Sequence, residues 1–188
     1  QQMLDHDAAV RTLVGETAPR IAAAVPAIPI HGRFDLRRVL VFEGDVTIID
    51  AASDPDIAPA DRLQPRDAFV DLGRMLWSFA VAARVALDTR RASAPPPHDK
   101  LASWARRWMT WASASFLAGY RAAAGGDTSV LPDDTTSIQH ALWLRWLESA
   151  FRDVESCAAQ SPKWLALWLE SVLDALDEMP LSELRIAA

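Results

Sequence analysis

A chain of 188 residues, half of them hydrophobic and under a quarter charged, suits one soluble domain with a sizeable core, or one lobe of a larger protein. Its net charge of −6 and pI near 5.1 argue against a nucleic-acid surface or an anionic membrane as the main partner. The single cysteine, Cys157, excludes an internal disulfide and a cysteine-rich metal site, and no apolar run approaches the ~20 residues that cross a bilayer, so a reducing, cytoplasmic compartment is the expectation.

In chain order, Val10, Leu13, Val14, Thr17 and Ile21 recur at helical steps and predict an amphipathic helix over 5–24, broken near Pro19. Pro26 and Pro29 then force an extended path into Ile30 and His31. Two β-branched runs, 38–42 and 46–50, flank Glu43-Gly44-Asp45 and predict a β-hairpin whose second strand ends on Asp50, facing a cleft. Residues 51–65 hold three prolines and no periodicity, which reads as a surface loop.

Helices follow. Phe69, Leu72, Leu76, Phe79 and Ala83 make an apolar stripe over 66–92, closed by Pro95-Pro96-Pro97. A second helix is expected over 98–123 with Gly125-Gly126 as its stop, and a third over 134–159 capped by Asp134 or Thr135. A fourth, over 161–178, carries Pro162 at its first position. Eight tryptophans are many for this length. Trp104, Trp108 and Trp111, then Trp143 and Trp146, then Trp164 and Trp168 group on helix faces. Core packing is the expected use, with a sugar-stacking platform as the sharper alternative. The fold class is mainly α (α+β), a helical bundle carrying a small β-hairpin, in a single domain over 1–188.

The segment His31-Gly32-Arg33-Phe34-Asp35-Leu36-Arg37-Arg38-Val39-Leu40 and the strand ending in Asp50-Ala51-Ala52-Ser53-Asp54-Pro55 resemble a loop and strand of bacterial maltokinases. Those enzymes belong to the aminoglycoside-phosphotransferase-like branch of the kinase fold, with loop H-G-D-x-H-L-x-Q-V-L and strand end D-F-E-G-x-P. Val70-Asp71-Leu72-Gly73-Arg74-Met75-Leu76-Trp77-Ser78-Phe79 is similar to the family's R-D-V-A-G-M-L-R-S-F helix. Phe116-Leu117-Ala118-Gly119-Tyr120 and Pro162-Lys163-Trp164-Leu165 follow in the same order, so the resemblance spans about 20–178. It implies the helical C-terminal lobe of a kinase-like phosphotransferase, without the N-terminal lobe that binds ATP.

The resemblance also implies what is altered. The family's catalytic base is the aspartate of H-G-D, and its place holds Arg33, a group with only donors that stays protonated. The glutamine that gives Mg²⁺ an oxygen is replaced by Arg38, and the second acid after the strand by Ala52. Asp50 matches the aspartate that holds the metal. Arg152 and Cys157 fall at the places of the sugar-binding tyrosine and glutamate. The expectation is thus a catalytically silent, pseudokinase-like lobe that docks onto an enzyme of α-glucan or trehalose metabolism. An active ATP-dependent sugar kinase whose N-terminal lobe lies outside this chain, using Mg and ATP, is the alternative. A sugar- or anion-binding module is a third.

Residue by residue, His31 is expected to hydrogen-bond the loop backbone. Asp35 is either a shifted base or the ion-pair partner of Arg33, Arg37 or Arg38. Asp50 is either a residual Mg²⁺ ligand or neutralised by Arg33 or Arg38. Arg33, Arg37 and Arg38 form either an anion pocket or a solvated charged loop. Cys157 reads as a small buried hydrophobe, and His6, His98 and His140 have no metal-ligand spacing.

Overall fold

The computed structural model describes residues 25–52, 54, 57–93, 99–160 and 169–172. The helix expected over 5–24, most of that over 161–178, and Trp164 and Trp168 lie outside them. Three long helices carry the structure: α1 (Phe69–Ser93), α2 (Asp99–Ala124) and α3 (Thr135–Gln160). Helix α1 is the middle layer and packs against both others. Asp71 in its first turn and Arg90 and Arg91 in its last oppose the two ends of the helix dipole.

Each boundary has a local cause. Asp134 caps α3: its carboxylate accepts the N–H groups of Thr136 at 3.3 Å and Ser137 at 2.8 Å. Hydrogen bonding from Ser137, its side chain first and then its backbone N–H, with the Thr136 N–H, holds the Asp134 carboxyl below the usual carboxylate range. Gly125 and Gly126 both take positive φ past the end of α2, and the Gly125 N–H reaches back to the Arg121 carbonyl.

The core is one cluster. Phe69, Leu72, Met75, Leu76 and Phe79 of α1 meet Leu142, Trp146, Leu147 and Ala150 of α3, with Leu117 of α2 closing the other side. Trp77 and Trp146 meet edge to face at 5.0 Å, and Trp143 stacks on Trp146 at 5.4 Å. An ion pair from Arg84 to Glu170 ties α1 to the helical residues 169–172, where Val172 is fully buried.

The tryptophan expectation holds on α3 and fails on α2. Trp143 and Trp146 are buried, but Trp104 and Trp111 are 66% and 71% exposed. On α2 the inward stripe is Met109, Ala112, Phe116, Leu117 and Tyr120, about one residue out of phase with the tryptophans. Trp108 is the intermediate case, half exposed yet edge-on to Phe79 at 6.1 Å.

Ahead of the helices, a 3-10 turn at Leu36–Arg38 leads into β1 (Val39–Phe42), paired antiparallel with β2 (Asp45–Ile48). Asp45 belongs to β2, opposite Phe42, so the turn is the two residues Glu43 and Gly44. Both have positive φ, the geometry whose twist matches the strands. The hairpin stands off the bundle, and Val41, Phe42 and Val46 are more than half exposed. The segment 51–65 is not wholly a surface loop: Asp54 is 3% exposed.

Helices α1 and α3 cross with almost no space at Gly73. A Cβ there would lie 2.6 Å from the Arg145 Cβ and 2.7 Å from the Trp146 nitrogen. Helix propensity alone would make Gly73→Ala stabilising by up to about 1 kcal/mol. The crossing reverses the sign. Gly73→Ala is expected to lower the unfolding free energy by about 1–3 kcal/mol in urea melts, through overpacking against backbone.

Candidate functional site

The site begins with one carboxylate. Asp71, in the first turn of α1, accepts the backbone N–H of His31 through Oδ2 at 2.6 Å and that of Gly32 through Oδ1 at 2.9 Å. Burial pushes the Asp71 carboxyl up, and the two amide bonds pull against that rise. The loop 31–35 is thereby fixed to a rigid helix. Gly32 takes φ 83°, a conformation a side chain would strain.

His31 ties the same loop to the hairpin. Its Nε2 lies 2.8 Å from the Ile49 carbonyl, and its Nδ1 accepts the Arg33 N–H at 3.3 Å, a pairing that requires the proton on Nε2. The Ala52 N–H returns to the His31 carbonyl at 2.8 Å. This crossing holds Asp50 and Ala52 in left-handed backbone, φ 60° and 55°, which costs each residue conformational energy.

The candidate residues do not converge. Asp35 is 1% exposed and caps the 3-10 turn. Its oxygens take the Arg37 guanidinium at 2.6 Å and 3.2 Å and the Arg74 guanidinium at 3.4 Å. Burial alone would raise its pKa, but the bond and charge of Arg37 and the charge of Arg74 together hold it below the usual carboxylate range. A carboxylate so enclosed is poorly placed to act as a shifted base. Arg38 Nη1 lies 3.2 Å from Asp50 Oδ2, so of the two arginines weighed as partners for Asp50 it is Arg38 that reaches it. Arg37 and Arg38 are thus each held by an acid, apart from Arg33.

Arg33 lines an open cleft enclosing about 580 Å³ of empty space, part of it continuous with solvent, between the loop, α1 and α3. Residues that sequence reasoning passed over dominate its walls. Arg74 Nη1 meets Asp153 at 2.8 Å, and the Trp77 indole N–H donates to the other Asp153 oxygen at 2.8 Å. Arg145 is clamped by Asp67 and Glu148, with contacts of 2.5 to 3.3 Å. Arg152 reaches the buried Asp54 at 2.9 Å. Cys157 is buried and does not line the cleft. Only the i, i+3 spacing of Arg145 and Glu148 was visible as a pair in the sequence; the other partners lie 76 to 98 residues apart.

The donor set at Asp50 does not suit Mg²⁺. It is one half-exposed carboxylate already against a guanidinium, where the ion takes oxygens in octahedral array. Among the described residues no three His, Cys, Asp or Glu side chains are grouped to hold a metal, and no helix is long and apolar enough to cross a membrane.

No protein-family model matches the chain. Solved structures of glucosamine kinase are similar to it. One crystal form superposes with a TM-score of 0.67 at 24% identity, over 95% of this chain and 43% of that one. A second form gives 0.66 at 23%, over 93% and 44%. A complex with glucosamine, ADP and inorganic phosphate gives 0.66 at 24%, over 89% and 40%. The likeness shows the fold, a helical lobe of the kinase-like kind. The chain spans less than half the length of the glucosamine kinases it matches.

Two measurements test this frame. Asp71→Ala leaves two amides without their acceptor and is expected to cost about 1–3 kcal/mol, with faster hydrogen exchange at His31 and Gly32 than elsewhere in α1. Asp35→Asn is expected to cost about 2 kcal/mol or more at neutral pH, because Arg74 loses a buried counter-charge. The native Asp35 pKa is depressed, so its contribution is complete above the unfolded value near 4 and is lost as pH falls through the native one. The stability gap between wild type and Asp35→Asn is expected to be flat from about pH 5 to 7 and to narrow below about pH 4.

Proposed function

We propose that this chain is a kinase-like C-terminal lobe that transfers no phosphate and serves as an interaction or regulatory module, of maltokinase-like descent. The observation that carries this reading is Arg33. The Asp71 clamp presents the residue after Gly32 to the cleft, where a sugar hydroxyl would need a proton acceptor, and that residue is a guanidinium. Loss of a general base alone costs about 10²–10⁴ in rate. The Arg38–Asp50 pair supports the same conclusion, since it occupies the acid that a phosphate-bridging cation would use. On this reading the lobe takes neither Mg nor ATP, resides in the cytoplasm, and has as its partner an enzyme of α-glucan or trehalose metabolism.

A second reading is favoured by one observation. The chain matches 40–44% of the length of glucosamine kinases, one of them in complex with glucosamine and ADP. It would then be the acceptor half of an ATP-dependent sugar kinase whose nucleotide half lies outside this sequence, with Mg and ATP as cofactors.

One assay separates the two. The protein in its natural full length, given Mg-ATP with glucosamine or with maltose, is expected to release no ADP above the sugar-free blank. Sugar-dependent turnover near the ~1–100 s⁻¹ usual for kinases would overturn the silent-lobe reading and establish the second. For the interaction role, affinity purification is expected to retain an α-glucan- or trehalose-acting enzyme; its absence from the eluate counts against that partner.

A further inference from the structure

The cleft between the loop, α1 and α3 has an imbalance of charge that the fold does not use. Three acids line it, and each is taken by one arginine: Asp153 by Arg74, Glu148 by Arg145, and Asp54 by Arg152. Two more arginines, Arg33 and Arg66, line the same space with no side-chain hydrogen bond or ion pair to any described residue. For Arg66 the deficit is sharper, because its Nη1 is buried and without a hydrogen-bond partner. A buried donor left unpaired costs free energy, and a guanidinium more than a neutral group. Its backbone is held in place by mutual hydrogen bonds with Ile28 at 2.9 Å, so the side chain is anchored at its base.

We infer that this cleft binds the phosphate group of a small molecule, with Arg33 and Arg66 as its direct ligands. Two uncompensated guanidiniums match the nearly two negative charges of a phosphate monoester at neutral pH. Planar guanidinium forks match its oxygens, and they stay charged at any working pH. The three paired arginines are neutralised by their acids and held by them, which leaves Arg33 and Arg66 as the groups able to turn to a ligand. Neutral sugar hydroxyls would leave both cationic groups uncompensated. The pocket differs from one built on the run Arg33, Arg37 and Arg38, since Arg37 and Arg38 do not line it. The inference stands whether or not the chain transfers phosphate, because it concerns equilibrium binding.

The test is titration calorimetry of the whole chain with inorganic phosphate, a hexose 6-phosphate, and the unphosphorylated hexose. Saturable binding is expected for at least one phosphate and not for the bare hexose. Tighter binding of the hexose phosphate identifies a phosphorylated metabolite as the ligand; equal binding identifies free phosphate. Arg33→Ala and Arg66→Gln are each expected to weaken binding roughly tenfold or more, and Arg121→Gln, on the exposed end of α2, to leave it unchanged. If Arg66→Gln does not fold, Arg33→Ala carries the comparison alone, with its melting temperature matched to wild type. No saturable heat from either phosphate, binding that survives these substitutions, or equal binding of the bare hexose would overturn the inference.

Discussion

The carboxylate of Asp71 is the point from which the site is organised. It sits on the first turn of α1, whose other face is the centre of the core. By accepting the amides of His31 and Gly32 it makes the position of the loop a consequence of how α1 packs. A half-buried carboxyl is stabilised there because its oxygens are used, and an empty acceptor would cost more than the ordinary hydrogen bond returns. His31 extends the constraint to the end of β2 through the Ile49 carbonyl. Loop, hairpin end and helix are thereby joined into one hydrogen-bonded piece.

What that piece presents is positive. Its backbone features are the left-handed Gly32, the histidine bridge, and an acid, Asp50, two residues past the end of β2. The side chains set beside them are guanidiniums. Arg38 faces Asp50, and Arg33 looks into a cleft already rich in guanidiniums. Loop backbone and cleft-facing side chain are separable in this protein, because the backbone is held by Asp71 and His31 and not by Arg33.

Much of the architecture of the described residues is legible in the sequence. The three long helices end within a few residues of where Pro, Gly and Asp placed them, and the hairpin falls at the only pair of β-branched runs flanking Glu43-Gly44. The exposed tryptophans of α2 were not legible. A three-and-four spacing shows that residues share a face, and two stripes one residue apart satisfy it equally well. Only the partner helix decides which turns inward. The sequence leaves Asp35 open as a base or an ion-pair partner; its burial under Arg37 and Arg74 favours the pair, and Arg74 lies 39 residues away.

Among the described residues, the sequence by itself determined the elements, their order and the sign of the charge at Arg33, since each is set by residues near one another in the chain. Tertiary structure decided which arginines are neutralised beyond local pairs such as Asp35–Arg37 and Arg145–Glu148. Asp54, Asp67 and Asp153 find their guanidiniums on α1 and α3, and Asp35 its second one, Arg74, over separations that local periodicity does not encode. A charge is free or spent according to what stands within a few ångströms of it, and that neighbourhood comes into being only when the helices close on Gly73.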